Sequence, residues 1–164
     1  MFALLFISFI IFLRLSSKRN FNRKIVILFL LLYSITLLIY TFFTGISYSI
    51  NGMTNYRFSA NFIPIKPMLD DFSLVLHGAQ NFSFLFDYLI VDLCLFMPYS
   101  LFLPYLKEKD FSTKKFFCIM LGIILLKELL QLITGFGVFD INDIILNFLG
   151  LVIMYYILKI INIF

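Results

Sequence analysis

Tryptophan is absent from this chain, histidine occurs once, cysteine twice, and only 13% of the residues are charged. Each shortage closes off a class. With 62% hydrophobic residues there is too little polar surface to clothe a soluble domain, and a mean hydropathy of +1.03 belongs to a polytopic membrane protein. Cys94 and Cys118 both lie in apolar runs, where a thiol behaves as a small hydrophobe. Two cysteines make neither a disulfide framework nor a ligand set. His77 has no cysteine or second histidine at ligand spacing, which argues against zinc. The usual tryptophan belt must fall to tyrosine, with Tyr48, Tyr56 and Tyr88 the candidates near one membrane face. The net charge of +4 would suggest nucleic acid for a soluble protein, but the basic residues sit in short blocks between apolar segments and read as topology signals. No nucleic-acid partner is expected.

What the chain does have is long apolar runs. Five stand out, at Phe2 to Leu15, Ile25 to Tyr48, Phe82 to Leu106, Phe116 to Thr134 and Ile144 to Ile161. The last four reach or approach the ~20 residues that cross a bilayer. The first is short and lacks the basic n-region and small-residue cleavage site of a signal peptide, so it reads as a retained helix with Arg14 snorkelling to the interface. The expected fold is therefore an all-α polytopic membrane bundle of about five helices in a single domain, residues 1–164. If the segments alternate, Arg14, Lys18, Arg19, Arg23, Lys24, Lys107, Lys109, Lys114, Lys115 and Lys159 share one side, and only Arg57 and Lys66 face the other. The positive-inside rule then puts the N-terminus outside and the C-terminus inside, with Ser49 to Asn81 and the turn Gly135 to Asn142 both outside. The longer outer loop carries Pro64, Pro67 and the apolar stretch Phe72 to Leu76, and is expected to lie partly in the interface.

Polar residues inside these runs are costly, on the order of 2.5 kcal/mol or more for a charge near a helix centre, so they mark function by default. Glu128 and Gln131, three apart, share a face of the fourth helix, and Asp143 and Asn147, four apart, share a face of the fifth. Helical rise puts Glu128 roughly 9 Å below Thr134 and Asn147 roughly 6 Å below Asp143. The short turn makes these helices antiparallel neighbours, so their polar faces can meet. Asp140 is equally a plausible N-cap, with Asp143 in the first turn. Gln131 and Asn147 are equally plausible interhelical hydrogen-bonding residues. Lys127 points about 100° away from Glu128 and reads as a poor partner, leaving Arg57 as the expected counter-ion. Asp87 and Asp92 add carboxylates roughly 7 and 15 Å along from Phe82. Pro98 should kink the third helix by removing a hydrogen bond to the Cys94 carbonyl.

Three blocks carry a family resemblance: Arg57 with Asn61-Phe62-Ile63-Pro64; Asp92 to Pro104 (DLCLFMPYSLFLP); and Glu128-Leu129-Leu130-Gln131 with Phe139-Asp140-Ile141-Asn142-Asp143, Asn147 and Gly150. In this order they resemble the VanZ-like family, named for a teicoplanin-resistance protein of bacterial glycopeptide-resistance clusters, over residues 57–161. The last block is the most specific. Asp92 stands where that pattern usually has Asn, Ser100 for Gly, Gly137 for a common Arg, and Asn142 for a frequent Asp. The resemblance implies a multi-pass protein of the bacterial cytoplasmic membrane, linked in some members to glycopeptide resistance.

The function expected first is recognition of a membrane lipid or lipid-linked cell-wall intermediate at the outer leaflet. Its ligand set would be Arg57, Asn61, Asp92, Glu128, Gln131, Asp140, Asp143 and Asn147, with Arg57 suited to a phosphate and the acids to a cation or hydroxyls. No cofactor is identified, although the acids would suit a divalent cation. Three alternatives stay open: an enzyme using a carboxylate as base, for which no nucleophile arrangement is visible; a small proton-coupled transporter; and a helper of another membrane protein.

Overall fold

The computed structural model describes residues 23–50, 60–78, 81–106 and 112–160. The first apolar segment, Arg57 and Tyr56 lie outside these residues, as do the side chains of Tyr48, Asp87 and Tyr88. The elements are α1 (Arg23–Ile50), β1 (Ala60–Asn61), α2 (Lys66–Leu76), α3 (Phe82–Leu95), α4 (Met97–Leu106), α5 (Thr113–Thr134), β2 (Phe139–Asp140) and α6 (Ile141–Ile160). Among the described residues three helices, α1, α5 and α6, are long and apolar enough to cross a membrane.

Each long helix shows one inward stripe and leaves the rest of its apolar surface bare. On α1 the stripe runs Val26, Leu30, Tyr33, Leu37 and Thr41, at the three-and-four spacing that keeps side chains on one face. Leu28, Leu31, Leu32, Ile35 and Ile39 are more than half exposed. A soluble protein would hide such a surface; lipid is its natural solvent. On α5 the inward stripe is Phe116, Met120, Ile124, Lys127 and Glu128, so the apolar row continues straight into two charges.

The hub is α6, which packs against α3, α4 and α5, while α1 leans on α4 and α5 and α2 on α3. Its approach to α3 is close enough that a Cβ at Gly150 would fall on the carbonyl of Leu93. Only glycine fits there, the small-residue contact by which membrane helices bring their backbones together. At α5 the ends are capped in sequence-legible ways. The Ser112 side chain accepts from Lys115 N at 3.2 Å, and Gly135 terminates the helix at φ 68° with its N–H on Leu132 O.

The third apolar segment is two helices rather than one kinked helix. Pro98 cannot donate to Cys94 O, α3 stops at Leu95, and Tyr99 N bonds Phe96 O at 3.2 Å instead of continuing the ladder. That leaves the Leu95 carbonyl unclaimed by its own helix. The Tyr33 hydroxyl, from α1, donates to it at 2.6 Å. Ser34 Oγ and the Tyr99 hydroxyl lie 2.9 Å apart beside it, and Ser100 Oγ, fully buried, donates to Leu151 O of α6 at 2.7 Å.

The all-helical expectation needs one amendment. β1 and β2 pair in parallel, Ala60 with Phe139 and Asn61 with Asp140, which fastens the loop after α1 to the turn before α6. Both loops therefore sit at one end of the bundle.

Candidate functional site

The pairing of β1 with β2 assembles a polar cluster where α5 ends and α6 begins. Asp140 is the N-cap of α6: its Oδ1 accepts from Asn142 N at 2.8 Å, two residues on. The same oxygen accepts from Asn142 Nδ2 at 2.9 Å, and Asn61 Nδ2 reaches both carboxylate oxygens at 3.1 Å. Asn142, itself buried, turns its Oδ1 to the backbone N–H of Ile65 at 2.7 Å. Ile65 has φ 67° and ψ −35°, with Lys66 N on Pro64 O at 2.7 Å, a γ-turn that a β-branched residue adopts only under strain. Two side-chain amides thus clip the loop 61–66 onto the start of α6. The Phe62 and Phe139 rings, 5.2 Å apart, close over the clip.

One turn deeper, Glu128 has no exposure at all. Lys127 Nζ donates to its Oε1 at 2.6 Å, Asp140 N to its Oε2 at 3.3 Å, and the Gln131 amide, with its nitrogen turned inward, to both oxygens at 3.2 and 3.3 Å. The expectation that Lys127 makes a poor partner is overturned. Its Cα does lie about 100° around the helix, but the four-carbon stem is long enough to fold back, and a charge in this apolar setting has nowhere else to go. The sequence did hold the signal: Lys127 follows Phe116, Met120 and Ile124 on the inward stripe. Arg57 was the counter-ion expected instead, and it lies outside the described residues.

Asp92 comes from α3 and is also buried, within electrostatic reach of Asp143, Lys127, Glu128 and Asp140. Asn147, fully buried on α6, donates through Nδ2 to the Asp143 carbonyl at 2.7 Å. The structure thus gathers Asn61, Asp92, Glu128, Gln131, Asp140, Asp143 and Asn147 into one region, with Lys127 as its cation. Sequence reasoning passed over Lys127 and Asn142 as site residues. Among the described residues no three of His, Cys, Asp or Glu converge as metal ligands.

The family model VanZ/LLP1 matches residues 29–162. The chain belongs to the VanZ/LLP1 family. The match begins within α1 and runs through α6, taking in every residue of the cluster, so this VanZ/LLP1 chain carries its polar centre wholly within the shared region. No curated protein and no solved structure gives a significant match. Family and apolar helices together make it a membrane protein.

Two departures from the pattern that the resemblance implied now have a structural account. Gly137 replaces a common arginine, yet Asp140 is not left bare, because Asn61 and Asn142 supply its donors. Asn142 in turn replaces a frequent aspartate. The donors that the Asp140 carboxylate has from these side chains are both amides.

Proposed function

We propose that this protein recognises the polar headgroup of a membrane lipid or lipid-linked cell-wall intermediate from the outer leaflet of the bacterial cytoplasmic membrane. The observation that carries the reading is the juxtaposition of a buried charged cluster with a bare apolar strap. Phe62, Ile63 and Ile65 are exposed beside the Asn61 clip, and Leu69, Phe72 and Leu76 continue that surface along α2 at positions i, i+3 and i+7. A ligand with a polar head and an apolar tail matches both halves at once.

In this reading the bundle has about five membrane helices, N-terminus outside, and α2 lies in the interface beside the site. Arg57, three positions before β1 in the sequence, holds the phosphate by its planar fork, and Asn61, Asp92, Gln131, Asp143 and Asn147 face the rest of the headgroup. Glu128 and Asp140 take donors on both carboxylate oxygens from within the protein, which suits binding and positioning better than general-base catalysis.

The test is lipid retention by the purified protein, read by native mass spectrometry, with teicoplanin susceptibility of expressing cells alongside. Arg57→Ala and Glu128→Gln should each lose at least tenfold of the retained lipid, about 1.4 kcal/mol. Both variants retaining lipid as the parent does would remove the proposal.

A further inference from the structure

Two oxygens in the cluster have no donor. One carboxylate oxygen of Asp92 and the side-chain oxygen of Asn147 are buried and accept no hydrogen bond, and their residues are 7% and 0% exposed. They contrast with Glu128 and Asp140 nearby, whose oxygens are all engaged. A buried acceptor without a donor is costly and calls for a partner. Asn147 cannot relieve itself by turning over, because its nitrogen is already committed to the Asp143 carbonyl at 2.7 Å.

The kind of partner follows from what surrounds the pair. Both atoms are acceptors, so the missing group is a donor. Asp92, Glu128, Asp140 and Asp143 stand against one cation, Lys127, among the described residues, so a positively charged donor is favoured over a neutral one. Metal ligation is the poorer match, since among the described residues no three acid, thiol or imidazole groups converge. One carboxylate oxygen and one amide oxygen suit a compact group with several directional N–H bonds.

We infer that Asp92 and Asn147 receive a primary ammonium group, that of an aminoalkyl lipid headgroup or of a free amine. This deepens the headgroup reading and rests on it. The ammonium donates to Asp92 and Asn147 together, while its charge offsets the surplus of carboxylates.

The decisive comparison is between phosphatidylethanolamine and phosphatidylcholine of identical acyl chains, presented to the full chain in nanodiscs and read by native mass spectrometry. Both carry the same phosphate and the same net charge, but choline has no N–H to give. The parent should retain the ethanolamine lipid roughly tenfold or more over the choline lipid, the scale of one or two charge-assisted hydrogen bonds. Asp92→Asn and Asn147→Leu should each bring the ratio close to one, while both keep the parent's helix content by circular dichroism and its elution volume in detergent, which shows them folded. If free ethanolamine displaces the lipid, the site takes the amine from either source. If it does not, the lipid headgroup is the source. Equal retention of the two zwitterionic lipids by the parent overturns the inference, as does a preference that survives in both variants. Should that equal retention itself vanish in Arg57→Ala, headgroup recognition stands and only the ammonium assignment falls.

Discussion

Lys127 and Glu128 are neighbours in the chain and partners in space, and their pairing shows how an apolar environment redirects a side chain. Neither is a lone charge, since each is held at 2.6 Å by the other, and removing one leaves an ion buried without compensation. Lys127→Met should lower stability by about 3–5 kcal/mol, seen as a large drop in the thermal midpoint in detergent. Adding Glu128→Gln should recover a good part of it, because the second change removes the orphaned charge. A second pair of positions to test is Asn142 and Gly137. Asn142→Asp sets a carboxylate against Asp140 and removes an amide donor, a loss of about 1–3 kcal/mol. Gly137→Arg should restore part of the stability in that background by returning a cation beside the aspartates, once the Gln131 side chain, 2.7 Å from a Cβ there at its Nε2 and 3.1 Å at its Cβ, has shifted. If the double variant unfolds at the same temperature as Asn142→Asp alone, the two positions are not coupled. At this scale the sequence was only half legible. Asp140 as N-cap and Asp143 in the first turn followed from local rules, whereas the reach of Lys127 depended on what filled the space around it.

Among the elements, the break between α3 and α4 was legible in Pro98 and its remedy was not. A proline announces which carbonyls lose their donors, but nothing local says that a tyrosine 62 residues away will serve one of them. Tyr33→Phe removes that donor and should cost about 0.6 kcal/mol, up to ~1.7, as a lowered thermal midpoint with the helix content unchanged. The α3–α6 seam follows the same logic. Gly150 was recognisable only as part of a motif, and its physical role, admitting the Leu93 backbone, needs both helices in place. Gly150→Ala should destabilise by about 1–3 kcal/mol or more, because backbone rather than a flexible side chain must yield. The β1–β2 bridge was illegible for a plainer reason: two residues are too few for any periodic pattern.

For the molecule as a whole, composition alone indicated a membrane bundle, since no arrangement of so apolar a chain could face water. The lack of tryptophan also makes the position of α2 measurable. Phe72→Trp introduces a single tryptophan, excited apart from the tyrosines at long wavelength, and brominated lipids should quench it strongly if the stripe Leu69, Phe72 and Leu76 rests in the interface. Emission at the wavelength of a hydrated indole, untouched by bromine, would place the helix in water. The short parallel bridge has a further consequence, for the order of assembly. Asn61 emerges early in synthesis and must wait 79 residues for Asp140, and Ile65 waits 77 for Asn142. Everything between them has to be made and inserted first, so the loop 60–66 stays unlatched in the nascent chain. A ribosome-stalled product ending before Ile141 should leave that loop open to protease, and completing α6 should shut it, which would make closure of this latch a report on when α6 has taken its place.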